Sequence, residues 1–516
     1  MNTCYNWKNI LAILVLLANY QTLYENKNEK NSLIINGNKT VKYCNKKAVS
    51  CCIILNLQIN ENASIEINTK DNNFSYDIPK IVNQDEELTI EIKMNNIKSI
   101  SLNNAKIKNS NIQTARSSLQ KFKILISQNE YSIEFNLTKN MFPILGFKAK
   151  EKISTPILAN LYSEKESQKI VLSNFIKYTS LENENDKIKS TKNNNMIQIL
   201  EIGYINMNAY YDINKPINSD LKFILNYKKE NYRRDAFELF NLISEPNIYV
   251  LKFKNLKYQS LMLKRMAFFI EKKEFRGVLL SNNELENKIG WRGHDYRLQD
   301  IITFFNTAQK LNIKLNKEEI ILKNLIIINK LAYIENNTIE IKDKAKNIAF
   351  AAYSEDETIL SMDQITIFMH EILHMYYFID KNFNKAISNF WSKNVIQKDK
   401  QAWIQFLDSK DYDTNDQYLI INEFYAYITQ IPKEDTANYL INTNYFSKFG
   451  INRYDKWAKK LEALLWETKG LIAGELLILF KDKIKKEQKH VAPKIQTNYL
   501  SLELTQSLLS VPNQFS

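Results

Sequence analysis

Hydrophobic positions recur with two different periods along this chain, and the change of period divides it. Between residues 30 and 150 the period is two. Ser64-Ile65-Glu66-Ile67-Asn68 alternates, as do the runs from Leu88 to Lys93 and from Tyr131 to Leu137. Strict alternation sets one face of a strand on a core and the other in water. Asn36-Gly37 is a hairpin turn signal. Short strands with polar turns predict a β-sandwich-like module over 30–150. Nothing in it carries chemistry.

From about Arg233 the texture changes. Ile248 to Phe253 reads as a strand and Tyr258 to Glu271 as a helix. Asp295 is placed to cap a helix that runs to about Leu311, and Asn316 with Glu319 opens another. Asn347 to Tyr353 is an extended apolar run. Ser361 with Gln364 reads as a capping box for a helix that meets no Pro or Gly before Asp380. Apolar residues occupy nearly every side of that helix: Ile365, Ile367, Phe368, Met369, Ile372, Leu373, Met375 and Tyr376. A helix apolar all round is a buried one. A second apolar stretch, Tyr418 to Ile431, ends before Pro432, and the segment between the two, Lys381 to Asp416, looks helical and is rich in Trp, Phe and Lys.

The fold class expected is multidomain α+β, a β-sandwich-like module followed by a mainly helical domain. The segments are an N-terminal signal or anchor at 1–25, the β-rich module at 30–150 and a linker or accessory region at 151–240. The helical domain follows at 241–490, with a tail at 491–516. Within the accessory region Glu182 to Asn195 reads as a linker or long loop, and Met196 to Tyr211 as extended.

Composition changes this picture in three places. The formal charge of +13 over 516 residues is carried by lysines scattered among Asn and Ile. That is the texture of an AT-rich genome, without the clustered stripe and interleaved aromatics of a nucleic-acid surface. Lys8 precedes an apolar run from Ile10 to Ala18, which is short for a membrane span and has the length of an export-signal core. An exported protein is expected, periplasmic or at the cell surface. The signal is either cleaved or kept as an anchor, and membrane association is expected through that segment only. Of four cysteines, Cys44, Cys51 and Cys52 lie beyond it. A disulfide from Cys44 to Cys51 or Cys52, or buried thiols, are both compatible with that spacing.

Two of only four histidines stand in the buried helix, in the pentad His370-Glu371-Ile372-Leu373-His374. Residues four apart on a helix lie on one face, so both imidazoles can serve one metal ion with Glu371 beside them as a proton carrier. Burying two histidines and a carboxylate without partners costs several kcal/mol, and a metal is the economical partner. The third histidine of note, His294, lies in Gly290-Trp291-Arg292-Gly293-His294-Asp295-Tyr296. It either enters the site or ties this glycine loop to a helix end.

The pentad and its uncharged flanks, Ile367 to Tyr376, resemble the active-site helix of zincin metallopeptidases. The resemblance is specific in this helix, thin elsewhere, and covers the chain from about residue 240 onward. It implies a zinc-dependent peptidase, with Zn²⁺ as cofactor, a peptide or protein substrate and no nucleic-acid partner. It also implies an edge strand beside the helix that pairs with the substrate backbone, for which Asn347 to Tyr353 is the candidate. A catalytic zinc takes three protein ligands and a water. The metzincin extension is missing, because Tyr377 and Asp380 stand at its Gly and His positions. Asn422-Glu423-Phe424-Tyr425-Ala426-Tyr427 resembles the ligand helix of gluzincins, so the metal set is His370, His374 and Glu423, with Asp380 as the alternative third ligand. The gap from His374 to Glu423 is longer than in the best-known gluzincins, and the insert reads as a lid or cleft wall. Glu371 is then the general base, and Tyr427, Tyr425 and His294, in that order, are candidates to stabilise the oxyanion. The other reading is a non-catalytic cell-surface or periplasmic binding protein with a structural or vestigial metal site. A structural site has no use for a base at Glu371.

Overall fold

The structure is a computed structural model. It describes residues 32–490 except 36–38, 43–50, 59–62, 70–71, 83–87, 95–96, 104–105, 108–120, 128–130, 164–166, 182–186, 190–195, 208–211, 289, 356–360 and 442–450. The apolar N-terminal run, Cys44 and the tail at 491–516 lie outside the described residues, as does the residue that would cap the helix opening at Ser361. Among the described residues no helix is long and apolar enough to cross a membrane. The chain divides into two compact units, Met1–Ala209 and Tyr210–Ser516.

The first unit is built of strands. Ala63–Thr69, Leu88–Met94 and Tyr131–Phe135 are the three alternating runs of the sequence. Leu88–Met94 lies inside a six-stranded sheet, between Phe122–Ser127 and Cys51–Gln58. Ala63–Thr69 is the middle strand of a three-stranded sheet. The inward residues of both sheets share one core. Ile65, Ile67, Leu88, Ile90, Ile92, Phe122, Ile124 and Ile126 are all fully buried in it. Each such side chain contributes about 1.5–3 kcal/mol, against about 0.2–1 kcal/mol for a cross-strand pair, so the alternation holds the sheets together. The stretch expected as a linker or accessory region carries strands as far as Asn206. Ile157–Tyr162 pairs with Ser167–Leu172, and Ile197–Asn206 pairs with Met141–Ala149.

In the second unit the strands are β1 Ile217–Ser219, β2 Phe237–Leu242, β3 Ile248–Phe253, β4 Gly293–Arg297, β5 Ala332–Glu335, β6 Thr338–Ile341 and β7 Ala349–Ser354. The helices are α1 Leu221–Asn226, α2 Leu256–Glu271, α3 Asn282–Glu286, α4 Leu298–Lys310, α5 Lys317–Ile328 and α6 Ser361–Ile379. They continue with α7 Lys381–Asn394, α8 Gln397–Asp408, α9 Gln417–Thr429, α10 Lys433–Ile441, α11 Ile451–Lys469 and α12 Glu475–His490. From α6 onward the described elements are all helices. Strands β1, β2, β3, β7 and β4 form one sheet in that order, with β7 parallel to β3 and antiparallel to β4. All six residues of β7 are buried, as expected of a strand covered on both faces. The run Asn347 to Tyr353, expected at the edge, is therefore an interior strand. Its unbroken apolar character was the sign of that, and the edge belongs to β4.

The sheet's two faces are dressed differently. Phe350 and Ala352 join Tyr296 and residues of α2, α4 and α5 in one core. The alternate residue Tyr353 stacks on Phe368 of α6, with ring centroids 4.5 Å apart. Strand alternation puts Gly293 and Asp295 of β4, opposite Tyr353 and Ala351, on the α6 side. Helix α6 is also packed by α7, α9 and α12, which explains why its apolar residues go all round. Gly474 closes this bundle. Its φ is +63°, and a Cβ there would lie 2.2 Å from the Pro432 nitrogen, so only glycine passes the end of α9.

Candidate metal centre

Helix α6 sets His370 and His374 one turn apart, with ring centroids 4.5 Å from each other and planes at 90°. Helix α9 starts at Asp416, whose side chain caps Tyr418 and Leu419 and is itself held by Arg276 at 2.6 Å. Two turns on, α9 delivers Glu423 between the imidazoles. Glu423 Oε2 is 3.4 Å from His370 Nε2, and Oε1 is 3.7 Å from His374 Nε2. The three donor atoms lie within 4.8 Å of one another. His374 and Glu423 are buried, and the His370 side chain keeps 11 % exposure.

The residues fit a metal ion by a test independent of motif. His370 Nδ1, both nitrogens of His374, Glu371 Oε2 and Glu423 Oε2 are buried without a hydrogen-bond partner. Leaving such a group unsatisfied costs about 1–3 kcal/mol, so a cluster of them is a standing expense unless something binds there. Burial pushes the His374 imidazole down to about 4, against the pull of Glu423, so it is neutral at ordinary pH. Burial also pushes Glu423 up, but His374, His370 and Lys272 outweigh it and hold its carboxyl below the usual range. Neutral imidazole with ionised carboxylate is the state that ligates a metal.

Glu371 lies on the side of α6 that meets β4. Burial, then the charges of Glu423 and Glu271, push its carboxyl well above the ordinary range. It occupies the space in front of Gly293. A Cβ at that position would come 2.0 Å from Glu371 Oε1 and 3.0 Å from Ile367. The glycine is there for close approach, and any side chain would displace the carboxylate. Asp295, two residues along the same strand face, joins Glu371 and His374 in a second acidic group. Burial, then Glu371, Glu271 and Glu423, push Asp295 well up as well.

The remaining sequence candidates are placed as follows. Tyr427 is half-buried, its ring 4.8 Å from that of His370, and it is backed by Phe406 of α8 at 5.3 Å. The insert between the two ligand helices thus forms a wall behind Tyr427. Tyr425 turns away and packs edge-on against Phe383 at 5.4 Å. His294 faces the other side of β4, where its Nδ1 meets the Tyr296 hydroxyl at 2.9 Å. Burial, then the Lys272 cation, push it down to about 3. Asp380 is committed elsewhere: it caps α7 through Asn382 and Phe383 and pairs with Lys469 at 2.6 Å. Among the described residues it is Glu423, and not Asp380, that joins the two histidines in a candidate metal-binding group. Asp295, expected as a helix cap, is a strand residue. Arg297 holds the cap position of α4 with no side-chain bond to it.

Sequence reasoning missed Glu271 and Lys272 at the end of α2. Burial pushes Glu271 up to about 7, offset by Lys272. Lys272 is buried, its ammonium 4.0 Å over both the Trp291 and Tyr412 rings. A Glu-Lys pair at a helix end carries no local signal of burial, since the rings that cover it come from distant segments.

The centre is a pair of histidines and two glutamates from two helices, with the edge strand of a sheet closing one side. No protein-family model matches this chain, and neither a curated protein nor a solved structure does.

Proposed function

We propose that this protein is an exported zinc-dependent metallopeptidase. The observation that carries the reading is the convergence of His370, His374 and Glu423, with Glu371 on the adjoining face of the same helix. A histidine pair with one carboxylate is the ligand set of catalytic zinc, and it leaves a coordination position open. When bound, zinc supplies Lewis acidity, lowering the pKa of a water and polarising a carbonyl oxygen.

The chain's own residues do the rest. His370, His374 and Glu423 hold the ion. Glu371 takes a proton from the attacking water as its oxygen bonds to the peptide carbonyl carbon. As the C–N bond breaks, Glu371 returns that proton to the leaving amine. Burial and neighbouring acids raise this carboxyl, which makes its carboxylate a stronger proton acceptor than an ordinary glutamate. The Tyr427 hydroxyl is the donor assigned to the developing oxyanion. Strand β4 ends the sheet on the α6 side, so an extended peptide added to it would run past Glu371. Export rests on the charged-then-apolar start of the chain.

The test is a mass-spectrometric screen of a mixed peptide library with zinc-loaded protein, chelator-treated protein and the Glu371→Gln variant. Cleavage that is abolished by the chelator, restored by zinc and absent in the variant supports the assignment. A zinc-loaded protein that cleaves nothing returns the centre to a structural or binding role.

A further inference from the structure

We propose that Asp295 is a positioning residue of the metal centre. Its carboxylate holds the Nδ1 proton of His374 and so presents Nε2 to the ion. This inference rests on the metal-centre reading above and does not depend on the reaction catalysed.

A neutral imidazole carries one N–H and one lone pair, and only the nitrogen without the proton can ligate. The tautomer of a buried ligand histidine is therefore set by whatever faces its other nitrogen. His374 is fully buried, and its two nitrogens face two different carboxylates. Nε2 is 3.7 Å from Glu423 Oε1, and Nδ1 is 3.9 Å from Asp295 Oδ2. The second gap is longer than a hydrogen bond, and the soft terminal torsion of an aspartate can close it. Glu423 also touches His370, so it belongs with the metal. Asp295 belongs to the other end of the ring.

The fold puts Asp295 there by register. Residues two apart on a strand lie about 6.5–7 Å apart on one face, close to the spacing of i and i+3 side chains on a helix. Gly293 meets Glu371, three residues before His374, and Asp295 meets His374. One further step along both elements, Arg297 lies 5.9 Å over the Phe378 ring. Strand β4 and helix α6 thus match three successive positions, and the aspartate falls opposite the ligand. Asn422 is the other polar group against His374. With a cation in the centre to offset its acidic neighbours, Asp295 would be the stronger acceptor, because a hydrogen bond to an ionised group is about twice as strong as a neutral one.

The experiment is a zinc-competition titration with a chromophoric chelator on wild type, Asp295→Ala, Asp295→Asn and Asn422→Ala, alongside urea unfolding of each zinc-free protein. Losing a group that orients a ligand costs about 10–100-fold in metal affinity. Asp295→Ala is expected to show that loss and Asp295→Asn a smaller one, since the amide keeps an acceptor without its charge. The zinc-free Asp295→Ala protein should unfold no earlier than wild type, because without a cation Asp295 sits among like charges. A residue that merely supported the fold would lower that midpoint instead. Wild-type affinity in Asp295→Ala, or a loss confined to Asn422→Ala, would overturn the proposal. So would two zinc ions per wild-type chain falling to one in Asp295→Asn, which would make Asp295 a ligand. A wild type that binds no zinc would remove the metal centre itself, a failure distinct from these.

Discussion

Arg265 with Glu319, and Glu371 with His374 and Glu423, are two sets of ionisable side chains in the second unit, none more than 5 % exposed. They differ in how they are finished. Arg265 donates to Glu319 at 2.8 Å, to the Leu280 carbonyl at 2.7 Å and to the Asn282 side chain. Glu319 in turn completes the capping box of α5 with Asn316. Across the sheet, His370, Glu371, His374 and Glu423 keep side-chain polar atoms with no hydrogen-bond partner. A fold can bury charge cheaply only by pairing it, as it does at Arg265. A cluster of buried ionisable groups left open in this way is a candidate for a partner from outside the chain. The first unit makes the same point from the other side. Among its described residues the buried polar groups are the hydroxyls of Ser and Thr, with no charged side chain.

That contrast predicts opposite responses to substitution. The largest effect belongs to Glu371→Gln. It should retain zinc, measured by mass spectrometry, while peptide hydrolysis falls about 10²–10⁴-fold, the range for losing a general acid–base group. Arg265→Ala is the mirror image. It should lower urea-unfolding stability by about 3–5 kcal/mol by stranding Glu319, with zinc per folded chain unchanged. If Arg265→Ala lost zinc without unfolding, the two clusters would not be separate.

Tyr427→Phe sharpens the comparison within the metal centre. An oxyanion donor is worth about 10²–10³ in kcat, so removing the hydroxyl should cost activity of that order and leave zinc bound. Unchanged kcat would reduce Tyr427 to a packing ring.

The smallest effect is a pH slope. His294 is held neutral, at about 3 against an ordinary 6.5. Its folded value is depressed, so the unfolded chain takes up the proton first as pH falls. Its contribution is present above pH 6.5 and is lost between 6.5 and 3. Lowering the pH from 7.5 to 5.5 should cost wild type about 1.4 kcal/mol more than a His294→Gln variant, read by urea unfolding of zinc-free protein. Glu271, raised to about 7, acts with the opposite sign over 4.5 to 7 in both proteins and cancels in the difference.

How much of this was legible in the sequence follows from distance along the chain. His370, Glu371 and His374 stand together by spacing within one turn, and Glu423 is reached through the resemblance of its apolar helix to a gluzincin ligand helix. The alternating strands of the first unit read directly, because alternation is a local pattern. What failed was tertiary. Asp295 has the chemistry of a cap and the position of a strand residue, and only the pairing of Asp295 with Ala351 decides between them. Gly293 stands in a glycine-flanked loop of the sequence, but the group it makes room for, Glu371, lies on another element. The edge position is not legible in Asn347 to Tyr353, because burial on both faces is the simplest cause of an unbroken apolar run.

The most direct test of the central claim is zinc per chain in purified wild type, Glu423→Ala and Asp380→Ala, each loaded with zinc and then desalted. About one zinc per chain is expected in wild type and in Asp380→Ala, and none retained in Glu423→Ala. Retention by Glu423→Ala with loss from Asp380→Ala, or a wild type that holds no zinc after loading, would contradict the claim.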